Sequence, residues 1–310
     1  MRLDSKQRSP DEGKSENGKG TELNRSINLT ARMDGKIMEG AAMQNIKANK
    51  ITIGKGTFID PSAVICGPDG GPADVVTIGD NCYIGERVQI RCPEFSLGDY
   101  GKIHHDTNAH GYSPCLIGHN AWIGQFTIID SIGGVTIGDN CGIGAHSQLW
   151  SHIKYGDTLE GCRFLSEKPL HIGKDVWFVG HCIVSPITAE DRSVAMVGSV
   201  VTRDMKENRV YAGTPAADIT DKTGPAFSPT SIEEKFLKME EYLAAYDGDR
   251  SDLRIARTIN DITDDNSTWF IVESRTYTKR GTDSEVEFMK FLLPERGKFT
   301  PIGRLESRPN

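Results

Sequence analysis

The sequence predicts an all-β solenoid: a parallel β-helix of three-sided coils built from six-residue repeats, with a small α+β extension at its C-terminal end. Three observations carry this reading. A predominantly aliphatic position recurs every six residues between Ile53 and Val201, the fifth position of most repeats is compact, and the larger interruptions of the period all fall after every third repeat. A short internal period of this kind is the signature of a stacked architecture.

The repeats begin at Ile53, Ile59, Ile65, Ile78, Ile84, Ile90, Leu97, Ile103, Ala109, Ile117, Ile123, Ile129, Ile137, Ile143, Leu149, Ile172, Phe178, Val184, Ala189, Ala195 and Val201. The second position is often Gly. An inward aliphatic residue, a glycine near a corner and a second small inward residue build one flat side of a triangular coil. Three repeats close a turn, and successive turns pair backbone to backbone like parallel strands about 4.8 Å apart. The fifth positions include Ala63, Cys82, Val88, Thr107, Ala121, Thr127, Cys141, Ser147, Val176, Cys182, Ser193 and Ser199, all small enough to stack inside. Cys82, Cys141 and Cys182 are thereby read as core filler.

The larger extra lengths lie at 65–77, 109–116, 129–136 and 149–171. Each follows the third repeat of a turn, so loops leave the solenoid at one corner without disturbing the stack. The largest, over 155–171, starts just beyond His152, and the register resumes at Ile172. The coil domain is expected over 49–220. Residues 1–48 are polar and read as disordered or weakly ordered.

Composition narrows the function. A formal net charge of −7 with no basic block argues against nucleic acid or an anionic membrane as partner. No run of about 18 apolar residues suggests a membrane span, and no apolar signal-peptide core opens the chain. Seven scattered cysteines without a CxxC pair fit a reducing cytoplasm. Small molecules and other subunits are the expected partners.

The repeat, together with the closing segment "VGSVVTRDMKENRVYAGTPAADI", resembles the left-handed β-helix of the hexapeptide-repeat acyltransferases, in particular the maltose and galactoside type of O-acetyltransferase. The resemblance covers roughly 50–220. It implies acetyl-CoA as co-substrate, no metal, a homotrimer, and a cofactor groove between coils of adjacent subunits. By position in the motif it places Trp177 in the lining of the cofactor groove, Gly180 and Val197 beside the pantetheine arm, and Thr202 and Arg203 near the nucleotide end. A guanidinium at 203 suits a phosphate. The sequence departs from the family in "AEDRSVAMVGSV", in Val197 where Ala is usual, and in the long continuation past Pro215.

In this family a histidine at a coil corner takes the proton of the acceptor hydroxyl. Counting three repeats from 129 to 149 stacks these two hexads, which puts Asp130 and His152 on the same face of adjacent coils. A carboxylate beside an imidazole fixes its tautomer and strengthens it as a base. His152 is therefore the candidate base and Asp130 its partner, or alternatively a ligand of the acceptor; the bland reading of His152 is a turn cap before the loop. The same count stacks His146 between His181 and Phe126 as an outward column. Two other readings stand beside the enzyme: a catalytically inactive β-helix binding or scaffold protein, and a γ-carbonic-anhydrase-like metalloprotein, whose histidine spacing "AHSQLWSH" does not match. No cysteine reads as an acyl carrier, so direct attack in a ternary complex on a sugar or sugar-like hydroxyl is expected.

Residues 225–310 carry no hexads. "SPTSIEEKFLKMEEYLAAYDG" has capping residues and helical spacing at Ile232, Phe236, Met239, Leu243 and Tyr246. "STWFIVESRTYTKRG" reads as one strand and "TDSEVEFMKFLL" as a second helix.

Overall fold

A computed structural model describes residues 45–293 and 295–302; most of the weakly ordered segment expected over 1–48 lies outside them. The coil is a left-handed parallel β-helix with three sheets as its faces. The first face starts with Ala48–Ile53 and ends with Thr188–Ala189, seven strands in all. The second runs from Phe58–Ile59 through Val210–Ala212 to Ala217–Asp218, and the third from Val64–Cys66 to Val200–Val201. Neighbours pair in parallel, as in Ile129 opposite Leu149 and Ile143 opposite Phe178. Only Ala217–Asp218 turns back, antiparallel to Val210–Ala212.

The first positions of the repeats form continuous internal columns. Ile65, Ile78, Ile84, Ile90, Leu97, Ile103 and Ile123 are fully buried, and Phe178 fills the same layer higher up. Burying such a side chain contributes about 1.5–3 kcal/mol. Ile53 and Ile59, in the first coil, are only half-buried. Every compact fifth position named above is buried, and so are six of the seven cysteines, all of them free. Burial pushes the thiols of Cys82 and Cys141 up to about 12, which leaves them unreactive.

Two corners of the triangle turn through a fourth-position residue in the left-handed region. At the corner between the first and second faces these are Asn81, Tyr100, Asn120, Asn140, Asp175 and Arg192. Between the second and third faces they are Arg87, Asp106, Phe126, His146 and His181. Asn and Asp, tolerant of this conformation, recur there. Adjacent coils come so close that Gly144 has no room for a Cβ, which would press on Val179 and Gly180 of the next coil.

The first corner is also tied from coil to coil by side chains. Asp80 Oδ1 accepts from Lys55 N (2.6 Å), Asp99 Oδ1 from Asp80 N (2.8 Å), Asp139 Oδ1 from His119 N (2.9 Å) and Asp191 Oδ1 from Lys174 N (2.7 Å). His119 Nδ1 continues the series by accepting from Asp99 N at 2.9 Å. Each third-position residue thus caps a backbone N–H of the coil before it, satisfying donors that the turn leaves outside the sheets.

The C-terminal extension docks along this corner. After α1 (Thr220–Thr223), α2 (Ile232–Ala245) starts at Ser231 with a reciprocal capping box to Glu234. Met239 and Tyr246 are buried, whereas Ile232 stays exposed. The segment expected as one strand is two, Thr268–Ile271 and Thr276–Thr278, paired antiparallel. Arg275, at positive φ, makes the turn that a continuous strand reading overlooked. Leu253–Ala256 and Thr300–Ile302 complete a four-stranded sheet, and α3 (Asp283–Leu292) buries Phe288, Met289 and Leu292 against it. Tyr100 of the coil inserts into this small core beside Phe270 and Tyr277.

Polar contacts follow the same line up the solenoid. Lys279 Nζ lies 2.6 Å from both Asp80 and Asp99, Asn120 Nδ2 donates to Phe299 O (2.8 Å), Lys298 Nζ donates to Asn140 O (2.9 Å), and Arg275 forks onto Asp175. Asp175 is only 7% exposed, so removing its partner strands a nearly buried carboxylate. Arg275→Ala is expected to lower unfolding stability by about 2 kcal/mol, within the range for hydrogen bonds to charged groups, and the double variant with Asp175→Ala to cost less than the sum of the single ones. Chemical denaturation measures both; strictly additive losses would show that the two groups do not act as a pair.

Candidate active site

The corner between the third and first faces is where the chain leaves the coil. In the longest excursion the strand Gln148–Leu149 is followed by an antiparallel hairpin, His152–Lys154 against Leu165–Glu167, with His152 opposite Glu167. The stretch expected as a loop over 155–171 therefore contains one arm of a hairpin. Its outer part exposes Tyr155, Leu159 and Phe164. At its base, Lys168 N donates to Ser151 O at 3.0 Å and closes the excursion back onto the coil.

Asp130 ends the strand Ile128–Asp130 one coil below and is completely buried. Its two oxygens have different surroundings. Oδ1 accepts from Ser151 Oγ (2.6 Å) and from Ile132 N (3.0 Å). Oδ2 faces His152 Nδ1 in direct contact as an ion pair without hydrogen-bond alignment, and neither of these two atoms has a hydrogen-bond partner among the described residues. Ser151 Oγ also accepts from Gly133 N at 2.9 Å, which fixes the hydroxyl as donor to Asp130. A carboxylate in contact with this ring nitrogen favours the proton on Nδ1, which leaves the lone pair on Nε2. The imidazole side chain is 21% exposed, with Trp150 edge-on at 6.2 Å between centroids. An imidazole in this arrangement can exchange a proton at Nε2, for which no hydrogen bond is recorded among the described residues.

The other candidate residues fall into two groups. Trp177 stands half-exposed on the second face. Gly180 and Val197 lie on adjacent coils at the corner between the second and third faces, where Gly198 N donates to Gly180 O at 3.0 Å, and Val197 is exposed. Thr202 and Arg203 are exposed at the loop corner, two coils above His152 and three above Asp130. Within one chain, the third face separates Gly180 and Val197 from the pair.

The remaining histidines are dispersed. His146 stacks on His181 at 4.8 Å and on Phe126 at 5.0 Å, forming an outward column. His104 lies on the second face between Tyr83 and Trp122, and burial, with Lys102 nearby, holds its imidazole below the usual histidine value. His105 pairs with Asp106 at another corner, and His110 reaches the loop corner. Among the described residues no three His, Cys, Asp or Glu side chains are grouped as a metal site requires. Sequence reasoning did not single out Ser151. Its signal is Ser at the third position of two stacked third-face repeats, Ser131 and Ser151, where an outward corner residue would be expected.

With this geometry in place, comparison with known proteins is informative. The chain is 32% identical over 149 residues to the galactoside O-acetyltransferase of Escherichia coli (strain K12), covering 47% of this chain and 63% of that protein. It is 36% identical over 111 residues to the bifunctional protein GlmU of Anaplasma marginale (strain Florida), covering 34% of this chain and 23% of the relative. The chain resembles the hexapeptide-repeat acyltransferases. It spans less than two thirds of the length of these curated relatives. Among solved structures, a hexapeptide-repeat acetyltransferase of Vibrio cholerae O1 biovar eltor, complexed with acetyl coenzyme A, is 22% identical with a TM-score of 0.33, over 46% of this chain and 69% of that one. LpxA of Acinetobacter baumannii is 14% identical with a TM-score of 0.43, over 64% and 74%. No protein-family model matches. No helix among the described residues is long and apolar enough to cross a membrane.

The asymmetric surroundings of Asp130 make a spectroscopic prediction. Nitrogen-detected NMR of the histidines at a pH where His152 is neutral is expected to show its Nδ1 protonated and Nε2 bare, and Asp130→Asn to shift population to the other tautomer. A bare Nδ1 in the unmodified protein would contradict the tautomer that the Asp130 contact favours.

Proposed function

We propose that the protein transfers the acetyl group of acetyl-CoA to a hydroxyl of a sugar or sugar-like acceptor, by direct attack in a ternary complex, as a cytoplasmic homotrimer. The observation that carries the reading is the buried Asp130 carboxylate behind His152, with Nε2 left for substrate. The acceptor oxygen attacks the thioester carbonyl while Nε2 takes its proton. As the tetrahedral adduct collapses, the C–S bond breaks and the imidazolium returns the proton to the departing thiolate. Asp130 offsets the charge that the ring gains and holds it in orientation. That its Oδ2 is buried and already engaged favours this role over contact with the acceptor.

Acetyl-CoA would run along Trp177, Gly180 and Val197, with Thr202 and Arg203 toward its nucleotide phosphates. The separation of these groups from the Asp130–His152 pair supports a site completed by a neighbouring subunit, as do the exposed apolar side chains of the hairpin that leaves the coil at His152. Six buried cysteines, two of them with thiols pushed up to about 12, are consistent with a direct transfer that forms no acyl-cysteine, and seven free thiols suit a reducing compartment.

A thiol-release assay with acetyl-CoA against neutral sugars, sugar phosphates and amines tests the activity. With the best acceptor, His152→Ala is expected to lower kcat by about 100-fold or more, the usual contribution of a general base being about 10²–10⁴, with little change in acetyl-CoA affinity. Wild-type turnover in this variant would remove His152 from the mechanism.

A further inference from the structure

Below the Asp130–His152 pair, the same corner holds polar side chains that the chemistry above does not use. A cleft of about 350 Å³ is lined by Gln89, Arg91, Asn108, His110, Tyr112 and Ile132 among others. Strand register fixes where it lies. Arg91 is opposite His110, and His110 is opposite Asp130, so the cleft descends coil by coil from the buried carboxylate. Gln89 and Asn108, also paired in register, present their amides on the adjoining third face.

The charge inside this cleft is one-sided. No Asp or Glu lines it. The half-buried Arg91 has only long, neutral partners, Gln89 Oε1 at 3.3 Å and Cys66 Sγ at 3.8 Å, and among the described residues no carboxylate pairs with it. Three other arginines hydrogen-bond to acids, Arg87 to Asp106, Arg257 to Glu233 and Arg275 to Asp175, while Arg250, Arg254 and Arg296 bond backbone carbonyls; Arg91 has neither kind of partner among the described residues. Next to Arg91, His110 Nδ1 is buried without a partner. A guanidinium without an acidic partner and an imidazole with an unpaired ring nitrogen among the described residues, flanked by two amides, form a site suited to an anion.

We infer that this cleft binds an anionic group of the acceptor, a phosphate or a carboxylate, with Arg91 as the principal contact and Asn108 and His110 beside it. The inference rests on the acetyl-transfer reading in that it assigns the bound molecule as acceptor. Arg91 is two coil steps from Asp130, on the order of 10 Å at about 4.8 Å per step. A hexose carrying an anionic substituent spans that interval. The acceptor is then a charged sugar, held by its anion below and presenting a hydroxyl to His152 above.

Calorimetric titration of the full-length protein with glucose 1-phosphate, glucuronate and glucose tests this directly. At least one anionic probe is expected to bind tenfold or more tightly than glucose, and whichever does so identifies phosphate or carboxylate as the recognised group. Arg91→Gln is expected to weaken that probe by about 10- to 100-fold, the equivalent of a charge-assisted hydrogen bond of about 1.5–3 kcal/mol. Asn108→Asp, which places a negative charge in the cleft by a near-isosteric change, is expected to weaken it as well and serves if the arginine variant fails to fold. Binding of glucose equal to that of both anions, or anion binding unaffected in a folded variant, overturns the inference. Thiol release measured with the same probes separates the two claims. Arginine-dependent binding without transfer would leave the anion site standing and remove the enzyme reading; transfer indifferent to Arg91 would do the reverse.

Discussion

Each coil of this protein is held to its neighbour by side chains that cap backbone donors across the turn, with Asp80, Asp99, Asp139 and Asp191 repeating one contact along a single corner. Strand ladders and the buried aliphatic columns set the register of neighbouring coils, since a slip of one residue would turn the core positions outward. The carboxylates add to this a bond to one particular N–H at each turn. With this corner fixed, and the second corner turned by residues in the left-handed region, variation in chain length is left to the third corner. The candidate site sits there because only there can the chain leave the coil and return in register.

The extension reinforces the same corner. Its small core would be marginal by itself, and it borrows Tyr100 from the coil to complete it. Lys279 shows how the forces balance: burial alone would lower its pKa, but Asp80 and Asp99 outweigh this and hold it up. The cation therefore stays charged where it neutralises two carboxylates of the capping series. The result is a scaffold stiffened on one edge and open on the opposite one, where substrate would have to enter.

Much of this was legible in the sequence because a six-residue period is a geometric statement. Counting repeats placed Ile129 against Leu149, and with them Asp130 near His152, since stacked coils share a register. The column of Phe126, His146 and His181 followed from the same count. What counting does not give is the reach of individual side chains. Ser151 turns inward to Asp130 although its position in the repeat is nominally at the corner. Arg91 looks like any other polar residue at the second position until the neighbouring coils leave it without an acid. The extension was least legible: the residue that makes its turn, Arg275, is bonded to Asp175, a contact a hundred residues away along the chain.

The central claim is that Asp130 and His152 act as one unit, the carboxylate working only through the imidazole. Comparing acetyl-transfer rates of Asp130→Ala, His152→Ala and the double variant tests this most directly, because groups that act through each other are non-additive. The account predicts that the double variant is no slower than His152→Ala alone. If the two losses multiply, Asp130 acts on the substrate independently of His152, and the account is wrong.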